Sequence, residues 1–235
     1  MILLGLDTAA ASCSVALWRD AAVAARRASA MERGHAEALV PMIEAVLADA
    51  GIDFAALDAV AAAVGPGSFT GLRTGLAAAR GLALALGIRA VGVSSLEAAS
   101  VAAHAALPAA SRATHAILVA LETKRADVYA QCFGPDLAPL GDPAALTPAE
   151  AARIAPAGPL CVAGDAAWRL GAPLARRNPA PAFAGETAAP DAATIAALAA
   201  SRLAGDAGTS DFPLRPLYLA PPIVGRATGG ARAVP

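Results

Sequence analysis

The sequence predicts an α/β fold of two lobes, and three observations carry that prediction. Strand-like runs and amphipathic helices alternate up to about residue 106 in the order β-β-β-α-β-α-β-α. A second strand-rich unit with helices of its own begins at Ala116, after a segment from Leu107 to Ala113 that breaks the pattern. The 235 residues suffice for two small lobes with buried cores.

Each element has its own signal. Ile2 to Leu6 is an apolar run that reaches an acid at Asp7. Ser12 to Arg19 alternates, with Cys13, Val15 and Leu17 on one face, and Val23 to Ala28 follows a turn, so the chain opens as an antiparallel meander. From Ala36 to Ala50 the residues Leu39, Met42, Ile43, Val46 and Leu47 keep helical spacing, and Gly51 is a natural stop. Pro41 removes one helical hydrogen bond, which predicts a bend or a late start. Ala59 to Val64 reads as a buried strand, followed by a glycine-rich turn, a helix to Leu86 and a strand from Ile88 to Val93. Ser94 with Glu97 predicts a capping box for a helix ending near Ala106.

In the second unit, Ala116 to Leu121 and Asp127 to Phe133 form a hairpin around Thr123–Ala126. Thr147-Pro148-Ala149-Glu150 is a helix start with cap, proline and returning glutamate in place. Leu160 to Ala163 is a strand stopped by Gly164-Asp165, residues 173–190 read as loop, and Asp191 to Ala204 as helix. The expected division is 1–106 for the first lobe, 107–224 for the second and 225–235 for a mobile tail.

Composition excludes several classes. Hydrophobic residues make up 57%, but alanine supplies much of this and aromatics only 4%. No stretch approaches the ~20 apolar residues of a bilayer span, and Arg80 interrupts the best candidate. The opening MILLGLD has no basic region before its apolar run, so it reads as a strand and not as a signal peptide. Cys13, Cys132 and Cys161 are widely spaced and match no metal or disulfide pattern. A net charge of -1 argues against tight nonspecific nucleic-acid binding by the chain alone. A cytoplasmic protein is expected.

The stretch VGPGSFTGLRTGLAAARGLALALG, from Val64 to Gly87, concentrates the functional question. A P-loop needs Gly-Lys-Ser/Thr, and here Gly71-Leu72-Arg73 stands instead. The dinucleotide fingerprint fails at Thr70, and the G-x-S-x-G elbow fails because Pro66 and Thr70 flank Ser68. The helix start can still attract an anion, so a phosphate contact stays open. The better-supported role is conformational: Gly65 and Gly67 let the backbone turn, and Ser68 or Thr70 caps the helix. Within the helix, Leu72, Leu76, Ala79, Ala83 and Leu86 form one apolar row, and Gly71, Gly75, Ala78 and Leu82 a second. Glycine inside a helix costs roughly 1 kcal/mol against alanine, so Gly71 and Gly75 need a reason. Either the second row packs within the chain, on the Leu39–Leu47 helix, or it receives a partner's helices.

Catalytic constellations are missing. The histidines are His35, His104 and His115, and none stands four residues from another. His35 beside Glu37 reads as a helix cap. Asp7 ends the first strand, but the turn Thr8 to Ser12 has no glycine with which to wrap a phosphate. Glu122, Lys124, Arg125 and Asp127 read as a solvated charged turn.

GLDTAAASCSVAL, RGHAEALVPMIEAVL and, above all, VGPGSFTGLRTGLAAARGLAL resemble the TsaB (YeaZ-like) family over residues 1 to about 100. ALETKRADVYAQCF, Gly164-Asp165 and Pro216 to Leu219 continue the likeness in the expected order. The resemblance implies an actin-like, sugar-kinase-like (ASKHA) fold and a non-catalytic subunit. Its partner would be TsaD, which transfers the threonylcarbamoyl group to the tRNA adenosine next to the anticodon. The resemblance implies no catalytic, cofactor-binding or metal-binding residue, and a first-lobe helical interface to TsaD. On this chain that interface maps to Leu39, Met42, Ile43, Val46, Gly71, Leu72, Gly75, Ala78 and Leu82. It further implies that TsaE joins the pair, that tRNA is met only through the complex, that no membrane is involved, and that a homodimer covers the face when TsaD is absent. Two alternatives are an ATP-dependent phosphotransferase of the same fold, disfavoured by the missing glycines after Asp7, and a metalloprotease, disfavoured by the missing histidine pair.

Overall fold

The structure is a computed structural model, and it describes residues 1–185, 190–205 and 213–219. Two five-stranded mixed sheets form two lobes. The first holds β1 (Ile2–Asp7), β2 (Ser12–Arg19), β3 (Ala22–Ala30), β4 (Ala59–Gly65) and β5 (Arg89–Ser94) in the order β3-β2-β1-β4-β5. β1, β2 and β3 pair antiparallel, while β4 runs parallel to both β1 and β5. The second sheet holds β6 (Ala116–Glu122), β7 (Val128–Phe133), β8 (Ala144–Leu146), β9 (Leu160–Ala163) and β10 (Ala182–Phe183) in the order β10-β9-β6-β7-β8. Read from their own first strands, the two sheets have the same order and the same parallel and antiparallel pairings. The second lobe repeats the first.

Strand alternation divides each sheet between two cores. Leu4, Leu6, Val15, Leu17, Val60 and Ala62 face α1 (His35–Asp49) and α2 (Phe69–Leu86), and pack with Leu39, Ile43, Val46 and Leu76. Leu3, Ala59, Ala61, Val91 and Val93 face the opposite way and meet Ile195, Ala196 and Ala199 of α7 (Ala192–Ala204). In the second lobe, Leu118, Ala120, Ala130 and Leu160 pack with residues of α5 (Pro148–Arg153) and of the 167–170 turn leading into α6 (Gly171–Leu174). Ile117, Val119, Phe133 and Cys161 pack instead with Leu96, Ala99 and Ala103 of α3 (Ser95–Ala106).

The last helix of each lobe therefore lies on the other lobe's sheet. Both helices thus pack across the expected division at residues 106 and 107. α3 is core to the second sheet, and α7 is core to the first, seated on β1 at Gly5, where a Cβ would collide with the Ala192 carbonyl oxygen. The amide of Ala192 donates to Ser14 Oγ at 2.9 Å, which pins the start of α7 to β2. The expected 225–235 tail lies outside the described residues.

Several local expectations change. α1 starts at His35 and continues through Pro41, which lies on the exposed side of the helix, as does Glu37 one turn back. The Ser94–Glu97 capping box does not form: Ser94 Oγ is buried without a partner, and Glu97 is taken by Arg202 of α7. The box at Thr147 and Glu150 is complete. The breaker segment holds the short α4 (Ala109–Arg112), and the expected 173–190 loop contains the end of α6 and the two-residue β10. All three cysteines are free and buried, and burial pushes the Cys132 thiol up to about 11.

Candidate functional site

The glycine turn serves the chain's own packing. Gly65 has φ +101, a conformation glycine enters without penalty. A Cβ on Gly67 would sit on the Ala9 carbonyl oxygen, and that oxygen accepts the Ser68 amide at 2.7 Å. Ser68 caps α2, its Oγ accepting from the Gly71 amide at 3.3 Å; Thr70 does not cap, and its carbonyl instead accepts from Thr74 Oγ1 at 3.1 Å. Thr8 Oγ1 donates to the Gly71 carbonyl at 2.7 Å. Cβ atoms on Gly71 and Gly75 would collide with the Thr8 carbonyl and Thr8 Oγ1. The glycines thus let α2 lie against the turn that follows β1.

This settles which row faces where. Gly71, Leu72 and Gly75 are buried inside the chain, as are Leu39, Ile43 and Val46. Met42, Ala78 and Leu82 are half-buried at the margin of the same core. The outward stripe of α2 is made of Ala77, Gly81, Leu84 and Ala85, with Leu84 87% exposed, and α1 adds Val40 at 52%. Among the described residues, a Cβ on Gly81 would meet nothing within 4 Å. The sequence signal was present but unread: Ala77, Gly81 and Ala85 are small residues four apart.

A cleft of about 810 Å³ opens between the lobes. The first lobe lines it with Ala9 to Ala11, Glu32, His35 and the start of α2, and the second with Glu122 to Arg125, Tyr129 and Asp165. His35 is not a helix cap; its Nε2 donates to the Ala10 carbonyl at 3.3 Å. Phe69 and Tyr218 meet at the rim with ring centroids 5.4 Å apart, and the Arg73 guanidinium lies 3.8 Å over Phe69. Lys124 reaches across to Glu32 at 3.9 Å, a pair too exposed to hold the lobes by itself.

The charged hairpin is built, not merely solvated. Glu122 Oε1 accepts from the amides of Thr123 and Lys124 at 2.9 and 2.7 Å, and from Arg169 at 3.0 Å. Arg169 also donates to the carbonyls of Arg125, Ala126 and Asp127, fixing the turn from outside. Nothing local in the sequence marks Arg169 for this role, because its partners lie more than forty residues away.

Asp7 is 1% exposed and does not line the cleft; its Oδ1 accepts the Ala9 amide at 2.8 Å, while Oδ2 is buried without a partner. Burial, and secondarily the nearby Asp191, push its carboxyl up to about 7. Among the described residues, no three of His, Cys, Asp and Glu gather as a metal site, and no helix is long and apolar enough to cross a membrane.

The geometry agrees with what the chain is similar to. The Escherichia coli protein called "tRNA threonylcarbamoyladenosine biosynthesis protein TsaB" is 42% identical over 96 residues, 41% of each chain. The tRNA N6-adenosine threonylcarbamoyltransferase of Erythrobacter litoralis is 49% identical over 65 residues, 28% of this chain and 19% of that one. These matches span less than half of either curated relative. The solved structure titled "YeaZ from Pseudomonas aeruginosa" superposes with a TM-score of 0.75 at 29% identity, covering 93% of this chain and 99% of that one. The fold is the two-lobed α/β class expected from the sequence, shared with that structure. The family model described as "TsaD: tRNA N6-adenosine threonylcarbamoyltransferase" matches residues 28–203, well over half of the chain and spanning both lobes, and the chain belongs to that family, on the side of its TsaB and YeaZ relatives.

Proposed function

We propose that this protein is a non-catalytic subunit that binds a TsaD-type transferase through α1 and α2 and so supports N6-threonylcarbamoylation of tRNA. The observation that carries the reading is the outward stripe of α2, with Leu84 87% exposed beside a Gly81 whose Cβ position meets no atom of the described residues. An exposed stripe of small and apolar residues with a glycine at its centre, edged by Arg73 and Arg80, suits close approach by another helix. The relatives named for threonylcarbamoyladenosine biosynthesis and for the transferase supply the partner's chemistry. The protein acts in the cytoplasm, forms a homodimer over the same face when the transferase is absent, meets tRNA through the complex and admits TsaE as a third member. The test is reconstitution: transferase, TsaE and substrates convert tRNA only when this chain is added. Conversion at the same rate without it would reject the subunit role.

A second reading, an ATP-dependent phosphotransferase, draws on the 810 Å³ cleft between the lobes. The Ala9 carbonyl already takes the Ser68 amide there, and Asp7 is sealed beneath the cleft floor. ATP turnover by the isolated chain, lost on Asp7→Asn, would favour this reading over the first.

A further inference from the structure

The second lobe carries an exposed feature that the α1–α2 face does not use. Trp168 is 74% exposed, and only Leu84 exceeds it among the described large hydrophobic residues. Its turn is anchored on both sides. Its neighbours Ala167 and Leu170 are buried in the core, and the adjacent Arg169 is fixed by Glu122 and three carbonyls. α5 and α6 pack against this turn, which brings Ile154, 41% exposed, and the exposed Arg153 and Arg176 to the same corner.

The corner is positively charged in an otherwise balanced chain. Residues 148–178 contain Arg153, Arg169, Arg176 and Arg177 against only Glu150 and Asp165, while the whole chain sums to -1. Arg169 offsets Glu122, and Arg153 is opposed by Glu150 one turn back. Arg177 is held by the carbonyls of Pro156 and Gly158, so its hydrogen bonds leave its charge uncancelled. Arg176 makes no hydrogen bond or ion pair among the described residues.

An exposed aromatic ring on a turn against which α5 and α6 pack, with Arg153 and Arg176 at the ends of those elements, suits an unpaired nucleotide: the ring stacks on the base and the arginines take the phosphates. We propose that this corner docks a single-stranded part of the tRNA substrate, an assignment of the occupant that rests on the function proposed above. A protein partner would need a broader apolar centre than Trp168 and Ile154 provide.

Trp18, packed against the core of the first lobe, is the only other tryptophan, so a Trp18→Phe chain reports on Trp168 alone. Titrating an unmodified tRNA transcript into this chain at low salt, where the contact it contributes to the complex is read by itself, is expected to quench its fluorescence saturably. Trp168→Ala is expected to weaken tRNA binding, measured by gel shift, at least about fivefold, with Trp168→Phe near wild type. Arg153→Gln with Arg176→Gln lowers affinity and flattens its salt dependence. No quenching, or an unchanged affinity in Trp168→Ala, would overturn the proposal. Quenching by the transferase protein but not by tRNA would also overturn it, giving the corner to a protein. Co-elution of wild-type chain with the transferase, read in parallel, reports separately on the subunit role.

Discussion

Asp7 shows how one buried group sets a pH dependence. Its carboxyl titrates at about 7 in the fold against 3.8 as a free side chain, so between those values the folded state holds a proton that the unfolded state has lost. Stability therefore falls as pH rises through this window, by roughly 1 kcal/mol per pH unit where the difference is complete. Denaturant titrations at pH 5 and pH 7 should show the loss, and Asp7→Asn, which keeps an acceptor for the Ala9 amide, should abolish it. The glycines of α2 give opposite expectations for one substitution. Gly75→Ala places a methyl against Thr8 and should destabilise by about 1–3 kcal/mol. Gly81→Ala enters open space at ordinary helical backbone and should stabilise the isolated chain by up to ~1 kcal/mol. Thermal unfolding of the two variants checks both signs.

At the scale of elements, what the sequence disclosed was what lies within a few residues. The Thr147 box, the Ser68 cap, the opening meander and the apolar spacing of α1 all follow from neighbours in the chain. What stayed hidden was long-range. Gly71 and Gly75 were recognised as needing a reason, but the reason is Thr8, more than sixty residues upstream. Glu97 has the right place for a capping box, yet Arg202 claims it from α7. The same holds for Arg169 and the 123–127 turn. Arg169→Ala leaves Glu122 and three carbonyls without their donor and should cost about 2 kcal/mol. Amide hydrogen exchange is expected to rise at Thr123 to Asp127 while the first sheet keeps its protection.

On the scale of the whole molecule, the repeated sheet order and the exchange of terminal helices tie the lobes into one unit. α3 is buried on the second sheet and α7 on the first, so neither sheet has its full cover without the other half of the chain. A chain ended before α7 would expose Leu3, Ala61 and Val93 together and is expected to lose the cooperative unfolding of the first lobe as well, seen as aggregation or a broadened transition. With both inner faces covered in this way, the outward side of α1 and α2 still exposes Val40 and Leu84 among the described residues. Of the α2 residues, Gly71 and Gly75 look inward, and Leu84 and Gly81 look out.

The central claim is that this outward stripe is where the transferase binds. Light scattering of an equimolar mixture with the TsaD-type protein of the same organism tests it most directly, with wild type and Leu84→Glu side by side. Leu84 is 87% exposed, so the variant is expected to fold and to melt as wild type does. A one-to-one complex is expected for wild type and two separate proteins for Leu84→Glu. A wild-type mixture that stays separate, or a Leu84→Glu chain that binds as tightly as wild type, would contradict it.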